Sequence, residues 1–255
     1  MKKLPVVLWC HPRSVSTAFE RAFLQREDFY CLHEPFGDAY YFGPQRQSLR
    51  YKNADLPNDI KLTSTTFQFV CDEIRTARPG KRTFVKDMAY HVFTYLKDHE
   101  LPIDKMISTF LIRNPFNAVP SMYKCSISDW GSFDPTEMGY LKQRDLFDHV
   151  MNRYRQTPIV VNSEELVKNP RAVLQKYCAL VDIEYKECMI EWKPMKIEQF
   201  DKWTGWHDKA QQSTGFTSDI QSLKKDLSTY PQIVHKTIEE NLPIYDYLNK
   251  FAIRV

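Results

Sequence analysis

Leu4–Leu24 reads LPVVLWCHPRSVSTAFERAFL, and three patterns follow one another within it. A short apolar run ends at Trp9, and a loop with Pro, Arg and three hydroxyl residues comes next. An amphipathic run then begins at Ala18. This order is typical of a buried strand, a tight loop and a helix. A helix N-terminus behind such a loop presents unpaired N–H groups and the positive end of the helix dipole, which together bind phosphate.

The side chains of this loop fit a single phosphate better than a nucleoside triphosphate. Arg13 supplies a permanent positive charge, and Ser16 and Thr17 supply hydroxyl donors at the predicted start of the helix. The loop lacks the flanking glycines, the Lys and the Mg²⁺-binding hydroxyl of a Walker A motif, which bind a triphosphate. An ordinary strand-to-helix loop with a Ser or Thr cap has a similar sequence, so the loop alone leaves both interpretations open.

A second turn of the same kind begins at Arg113, directly after an apolar run that predicts a strand. Asn114 fits an N-cap and Pro115 fits the first position of a helix. Ser121 lies further along this helix, so Arg113 and Ser121 can face one anion. Pro120 predicts a kink just before Ser121, because proline removes a helical hydrogen bond. Taken alone, the turn could equally be a buried helix beside a surface arginine.

The two turns together resemble the nucleotide site of the sulfotransferase superfamily, in its soluble, small-molecule type. These enzymes use 3′-phosphoadenosine-5′-phosphosulfate (PAPS) as sulfonate donor and release the 3′,5′-bisphosphate PAP. The run Pro-Arg-Ser-x-Ser-Thr resembles their 5′-phosphosulfate loop, with Val15 where the family usually has Gly. Arg113 and Ser121 resemble the 3′-phosphate site. The stretch around Glu165-Leu166 resembles a late, mostly structural segment.

The resemblance implies that the co-substrate is PAPS and that the site contains no metal. It also implies that Ser213-Thr214-Gly215 forms the late loop over the nucleotide. The residues expected to bind the nucleotide are therefore Arg13, Ser14, Val15, Ser16, Thr17, Arg113, Ser121, Ser213, Thr214 and Gly215.

Sulfonate transfer also needs a base for the acceptor and positive charge for the leaving oxygen. We expect Arg13 and Lys86 to supply the charge. Cytosolic members of the family use a His in a Lys-Thr-His stretch, and the matching position here is Met88. Other members use a Glu near the end of the second strand, a placement that Glu34 fits.

We therefore expect Glu34 to be the base, with His33 and then His91 as the alternatives. A surface or capping role for Glu34 is the competing interpretation. Asp87 is expected to orient Lys86 or the acceptor. Residues 37–60 are rich in aromatic side chains that could line an acceptor pocket or simply pack together, namely Tyr40, Tyr41, Phe42 and Tyr51.

Composition agrees with one globular enzyme domain over residues 1–255. Hydrophobic residues make up 43% and aromatic residues 14% of the chain, which excludes general disorder. The net charge of +3 indicates neither a nucleic-acid surface nor a membrane surface. The six cysteines lack metal-type spacing, so we expect reduced thiols. The first apolar run is too short to span a membrane, which favours a cytoplasmic protein.

Alternating strands and helices predict an α/β fold with a central, mostly parallel sheet flanked by helices, as in the P-loop NTPase-like sulfotransferases. The expected strands are residues 4–9, 28–32, 82–85, 107–112 and 158–161. The expected helices after the first include residues 63–78, 171–181, 219–229 and 231–249.

The sequence therefore predicts a PAPS-dependent sulfotransferase acting on a hydroxyl or amine of a small molecule, in bacterial natural-product tailoring. A metabolite or nucleotide kinase is one alternative, although the loop lacks the Lys and the Mg²⁺-binding hydroxyl. A non-catalytic, nucleotide-binding protein of the same fold is the other, because Met88 occupies the usual position of the His.

Overall fold

A five-stranded parallel sheet forms the centre of the computed structural model, which describes residues 3–51, 57–76, 78–203, 206–216 and 226–255. The strands are β1 (Val6–Cys10), β2 (Phe29–His33), β3 (Arg82–Met88), β4 (Ile107–Ile112) and β5 (Ile159–Asn162). Their order across the sheet is β2-β3-β1-β4-β5, and each neighbouring pair runs parallel. The predicted fold class is confirmed.

Helices connect the strands and cover both faces of the sheet. Their bounds are α1 (Ser16–Leu24), α2 (Pro35–Tyr41), α3 (Ile60–Thr63), α4 (Phe67–Arg75), α5 (Ala89–Leu96), α6 (Pro115–Trp130), α7 (Tyr140–Arg153), α8 (Ser163–Lys168), α9 (Pro170–Leu180), α10 (Asp208–Gln212) and α11 (Gln232–Asn249). Among the helices described, none is both long and apolar enough to cross a membrane.

The side chains of β1 show why both faces of the sheet are covered. Every residue of this central strand is buried, and successive side chains point to opposite faces. Val7 and Trp9 belong to a core cluster with residues of α6, α7 and α11. Val6 and Leu8 belong to a second cluster with residues of α1 and α9. The sheet is therefore the middle layer between two helical layers.

Several predicted limits differ from the structure by one or two residues, and β3 and the predicted helix 63–78 differ by more. β3 continues through Lys86 and Asp87 to Met88, because it pairs with β1 up to Cys10. The predicted helix 63–78 is shorter in the structure, since α3 ends at Thr63 and α4 spans Phe67–Arg75. α4 begins where the Thr66 hydroxyl accepts a hydrogen bond from the Phe69 N–H at 3.1 Å. The predicted helix 231–249 is confirmed as α11, whereas most of the predicted helix 219–229 lies outside the described residues.

All five strands end at one edge of the sheet, which positions the site. Cys10, at the end of β1, pairs with Met88 of β3 on one side and Leu111 of β4 on the other. The loops that leave β1, β3 and β4 are therefore neighbours. Ligands of open α/β sheets bind at this carboxyl edge.

Candidate functional site

The loop after β1 has an unusual backbone at the start of α1. Arg13 and Val15 have φ angles of +62° and +73°, in the left-handed region. A β-branched residue rarely adopts this conformation and glycine adopts it freely, which explains why glycine is usual at the position of Val15. Val15 is the N-cap and its side chain makes no capping hydrogen bond. Within the described structure, the buried Ser14 hydroxyl also has no hydrogen-bond partner.

The two phosphate-type turns meet at the carboxyl edge of the sheet. The Arg113 guanidinium donates to the Arg13 carbonyl oxygen at 2.8 Å. The Arg13 guanidinium in turn donates to the Ser121 hydroxyl at 3.1 Å. Arg13 and Arg113 therefore lie side by side although they come from different turns. The residues predicted for the 5′- and 3′-phosphates are therefore neighbours, and the Glu164 carboxylate lies 3.9 Å from Arg113 Nε.

His11 joins the two turns, a role that the sequence analysis missed. Its Nε2 accepts a hydrogen bond from the Arg113 backbone N–H at 3.0 Å, so Nδ1 carries the proton and donates to the Pro12 carbonyl oxygen at 2.9 Å. The ring stacks on Tyr140 with centroids 4.0 Å apart. Burial lowers the pKa of His11 to about 3, so the ring is neutral at physiological pH. The position of His11 immediately after β1 was the signal in the sequence that could have indicated this role.

The second turn is held in place from α8. The Glu164 carboxylate accepts hydrogen bonds from the Asn114 N–H at 3.2 Å and the Asn117 side chain at 3.0 Å. Asn114 caps α6 as predicted, since its side chain accepts from the Phe116 N–H at 2.9 Å. The helix runs on through Pro120 to Trp130. The segment around Glu164 thus supports the anion site structurally.

A buried ion pair joins the ends of β2 and β3. The Lys86 ammonium contacts the Glu34 carboxylate, and their side chains are 0% and 5% exposed. Burial acts to raise the pKa of Glu34, but Lys86 and then His33 outweigh it and hold this pKa well below its usual range. Burial likewise acts to lower the pKa of Lys86, but Glu34 raises it above the usual value. Both groups are therefore charged.

Glu34 also has a strained backbone. Its φ is +46°, and its N–H donates to the Lys86 carbonyl oxygen at 2.8 Å. Pro35 begins α2 directly after it, so Glu34 is the N-cap residue. Strain of this kind persists where the surroundings fix it, most often at functional sites.

Two imidazole–carboxylate pairs flank Glu34 and Lys86. His33 Nδ1 lies 2.8 Å from a carboxylate oxygen of Glu20, a buried residue of α1. His91 Nδ1 lies 2.7 Å from a carboxylate oxygen of Asp87. Asp87 thus contacts His91, whereas the sequence analysis expected it to orient Lys86 or the acceptor. Glu20 was missed because its partner belongs to a different element.

Residues of the later chain cover the loop after β1. The Arg13 guanidinium donates to the Trp206 carbonyl oxygen at 3.5 Å and lies 5.8 Å from the centre of that ring. His207 Nδ1 lies 3.0 Å from the Thr17 hydroxyl, and its ring lies 4.9 Å from that of His33. Burial lowers the pKa of His207 to about 3, so it too is neutral.

The segment Ser213–Gly215 has other contacts in this structure. The Ser213 hydroxyl donates to the Ala210 carbonyl oxygen at 2.7 Å and accepts from the Trp192 indole N–H at 3.0 Å. Thr214 accepts a backbone hydrogen bond from Trp192 at 3.1 Å. A Cβ atom at Gly215 would lie 2.7 Å from the Ile190 carbonyl oxygen. A role of this segment in nucleotide binding stays a prediction.

A metal ion is the remaining ligand to consider. The side chains of His33, Glu34 and His207 offer ligand atoms that lie within 4.8 Å of one another. The Lys86 ammonium already contacts the Glu34 carboxylate, however, and a second cation there would be repelled. The expectation of a metal-free site stays a prediction.

Comparisons with known proteins agree with this architecture. Residues 4–245 match the family described as Sulfotransferase domain. Two Arabidopsis thaliana proteins, Branched-chain-amino-acid aminotransferase-like protein 2 and protein 1, are 27% and 26% identical to the chain. Each alignment covers 94% of this chain and 40% of the relative. The chain therefore spans about two-fifths of the length of these relatives.

Two solved structures share the fold. The sulfotransferase domain of the Synechococcus PCC 7002 olefin synthase superposes with a TM-score of 0.53 at 15% identity, covering 94% of this chain and 95% of that one. The sulfotransferase domain from the curacin biosynthetic pathway gives 0.53 at 13% identity, covering 94% and 98%. At these identities the likeness concerns the P-loop-like fold. With its family matched over nearly the whole chain, the protein belongs to the sulfotransferase domain family.

Proposed function

We propose that the chain transfers a sulfonate group from PAPS to a hydroxyl or amine of a small-molecule acceptor. The observation that carries this proposal is the meeting of Arg13, Ser121 and Arg113 from two separate phosphate-type turns. PAP carries two phosphate groups, on the 5′ and 3′ positions of one nucleoside. A site with two adjacent anion-binding turns suits this ligand better than a nucleotide with a single phosphate position.

The first turn is suited to the 5′-phosphosulfate. Ser16 and Thr17 open α1, so their backbone N–H groups and the helix dipole favour an anion there. The unpartnered Ser14 hydroxyl, among the residues described, adds one more donor that a bound phosphate would satisfy. Arg113 and Ser121 are suited to the 3′-phosphate.

Charge for the reaction comes from Lys86 at the end of β3 and from Arg13. In the transfer, the acceptor oxygen or nitrogen bonds to sulfur, the bond from sulfur to the 5′-phosphate oxygen breaks, and the acceptor proton goes to a base. The leaving oxygen develops negative charge, which a fixed cation stabilises. Lys86 is held in the charged form by Glu34, so it is preorganised for this role.

We also propose a cytoplasmic location, one domain over residues 1–255 and a role in tailoring secondary metabolites. One of the two solved sulfotransferase domains comes from the curacin biosynthetic pathway, and the other is part of an olefin synthase. In this proposal the aromatic side chains of α2 and α5, among them Tyr40 and Tyr90 with ring centroids 5.4 Å apart, line the acceptor side of the site.

Calorimetry distinguishes this proposal from its two alternatives. The titrants are PAP, AMP and ATP, each with and without Mg²⁺. A sulfotransferase binds PAP more tightly than AMP and does so without Mg²⁺. Tight, Mg²⁺-dependent ATP binding would instead indicate a kinase. A non-catalytic protein would bind PAP but would release no PAP from PAPS with any of a panel of phenol, alcohol and amine acceptors.

A further inference from the structure

The Nε2 atom of His91 is buried and has no hydrogen-bond partner among the described residues. The His91 side chain is 1% exposed and lies in the first turn of α5, just beyond the end of β3. Native proteins satisfy nearly all buried polar atoms, so an exception at the carboxyl edge of the sheet needs an explanation. A bound ligand that donates a hydrogen bond to His91 Nε2 is one such explanation.

The protonation of His91 follows from its partner. Asp87 accepts three hydrogen bonds, from His91 Nδ1, the Met88 N–H and the Phe36 N–H, each at 2.7 Å. Two of these donors are backbone groups, which can only donate, so both oxygens of Asp87 act as hydrogen-bond acceptors. His91 Nδ1 must then carry the proton. This leaves a free electron pair on Nε2.

His33 has the opposite arrangement. Burial raises the pKa of its partner Glu20 well above the usual range, which favours the protonated acid. His33 Nδ1 faces Glu20, and His33 Nε2 lies 3.8 Å from a carboxylate oxygen of Glu34, which favours a proton on Nε2. His33 also lies beneath Phe200 and His207, with ring centroids 4.8 and 4.9 Å away. His33 is therefore less suited to accept a proton than His91.

The surroundings of His91 indicate the class of acceptor. Three tyrosine rings lie around the imidazole, with centroids 5.1 Å (Tyr40), 5.3 Å (Tyr41) and 4.5 Å (Tyr90) away. Tyr40 is half-buried, whereas Tyr41 and Tyr90 are buried. Aromatic rings of this kind pack favourably on flat or apolar groups.

We propose that His91 is the general base of the sulfonate transfer and that Asp87 is its positioning residue. The acceptor is a hydroxyl or amine on an aromatic or apolar body. Its O–H or N–H bond breaks and the proton moves to His91 Nε2. The freed electron pair bonds to sulfur, and the bond between sulfur and the phosphate oxygen breaks with its electrons on PAP. This inference rests on the proposed function, and it assigns to His91 the role that the sequence predicted for Glu34.

The tautomers can be measured without any acceptor. The experiment records ¹⁵N spectra of the full chain labelled at histidine, with His91→Gln and His33→Gln assigning the two signals. His91 should show a protonated Nδ1 and a bare Nε2, and His33 a protonated Nε2. Asp87→Asn should move the His91 proton toward Nε2 while leaving the His33 signal in place. Protonation of wild-type His91 on Nε2 would overturn the proposal.

Chemical rescue tests the catalytic role, with 2-naphthol as the probe acceptor and release of PAP from PAPS as the readout. His91→Ala should lower kcat about 10²–10⁴-fold with unchanged affinity for PAP, and added imidazole should restore part of the rate. His33→Ala is the matched control, and imidazole should not restore its rate. Rescue of His33→Ala alone would refute the assignment. Failure of the wild-type chain to bind PAP would refute the proposed function. The tautomer measurement needs no nucleotide, so it would still test the proton positions on His91.

Discussion

Removing one partner of the buried ion pair gives a large, measurable effect. Glu34→Gln preserves the size of the side chain and leaves the Lys86 ammonium uncompensated. The Lys86 side chain is 0% exposed and that of Glu34 is 5% exposed, so water cannot screen the remaining charge. Breaking a pair of this kind costs about 3–5 kcal/mol of unfolding free energy. The backbone hydrogen bond between the same residues is unaffected, since it uses no side-chain atom.

The assay is urea unfolding at pH 7, followed by fluorescence and circular dichroism. Glu34→Gln and Lys86→Met should each lower the midpoint without changing the slope of the transition. The double variant should recover roughly half of the loss or more, because no unpaired charge stays buried. A loss below about 1 kcal/mol for Glu34→Gln would refute the buried, charged pair, since that is the range of exposed pairs. A stable Glu34→Gln variant that lost turnover about 10²–10⁴-fold would instead identify Glu34 as the base.

Three further predictions concern the anion site and its support. Arg113→Ala should weaken PAP binding by about 2–3 kcal/mol and remove most of the preference for PAP over AMP in calorimetry, because AMP lacks the 3′-phosphate. Val15→Gly should raise the free energy of unfolding by about 0.5–1 kcal/mol in urea titration, because glycine adopts a φ of +73° without strain. The free energy of unfolding should also fall as the pH drops from about 6.5 toward 3. His11 and His207 have pKa values of about 3 in the folded chain, so in this pH range they bind protons only in the unfolded chain. Each ring should lower the free energy of unfolding by up to about 1.4 kcal/mol per pH unit.

Each of these predictions has a control and a contrary result. Arg171→Ala removes an exposed arginine from α9, so it should leave the ratio of the PAP and AMP dissociation constants unchanged. If the ratio of the PAP and AMP dissociation constants is unchanged in Arg113→Ala, Arg113 does not bind the 3′-phosphate. The Val15 side chain packs against the second core cluster, and a loss of more than about 1 kcal/mol in Val15→Gly would show that this packing outweighs the backbone strain. A flat stability curve between pH 6.5 and 5 would contradict neutral, buried His11 and His207.

The sequence was sufficient for the elements that local patterns define. Apolar runs predicted all five strands, and Asn114 with Pro115 predicted the start of α6. β3 was predicted too short, because Lys86 and Asp87 look like the end of a strand. They stay in the strand because its hydrogen bonds to β1 continue and each charge meets a buried partner.

The contacts within the site could not be predicted from the sequence, because they join residues that are far apart along the chain. His11 bonds to Arg113 across two strands, and no spacing in the sequence encodes that pairing. Glu20 of α1 faces His33 at the end of β2, and no spacing in the sequence links these two residues either. The cover of the loop after β1 by Trp206 and His207 likewise depends on how the late chain folds back.

The central claim is that two separate turns bind the two phosphates of one nucleotide, and a crystal structure with PAP tests it most directly. The account predicts the 5′-phosphate at the backbone N–H groups of Ser16 and Thr17. It predicts the 3′-phosphate within hydrogen-bond distance of Arg113 and Ser121, with Arg13 beside both. Crystals soaked in millimolar PAP that show no nucleotide at this edge of the sheet, or show it bound through only one of the turns, would contradict the account.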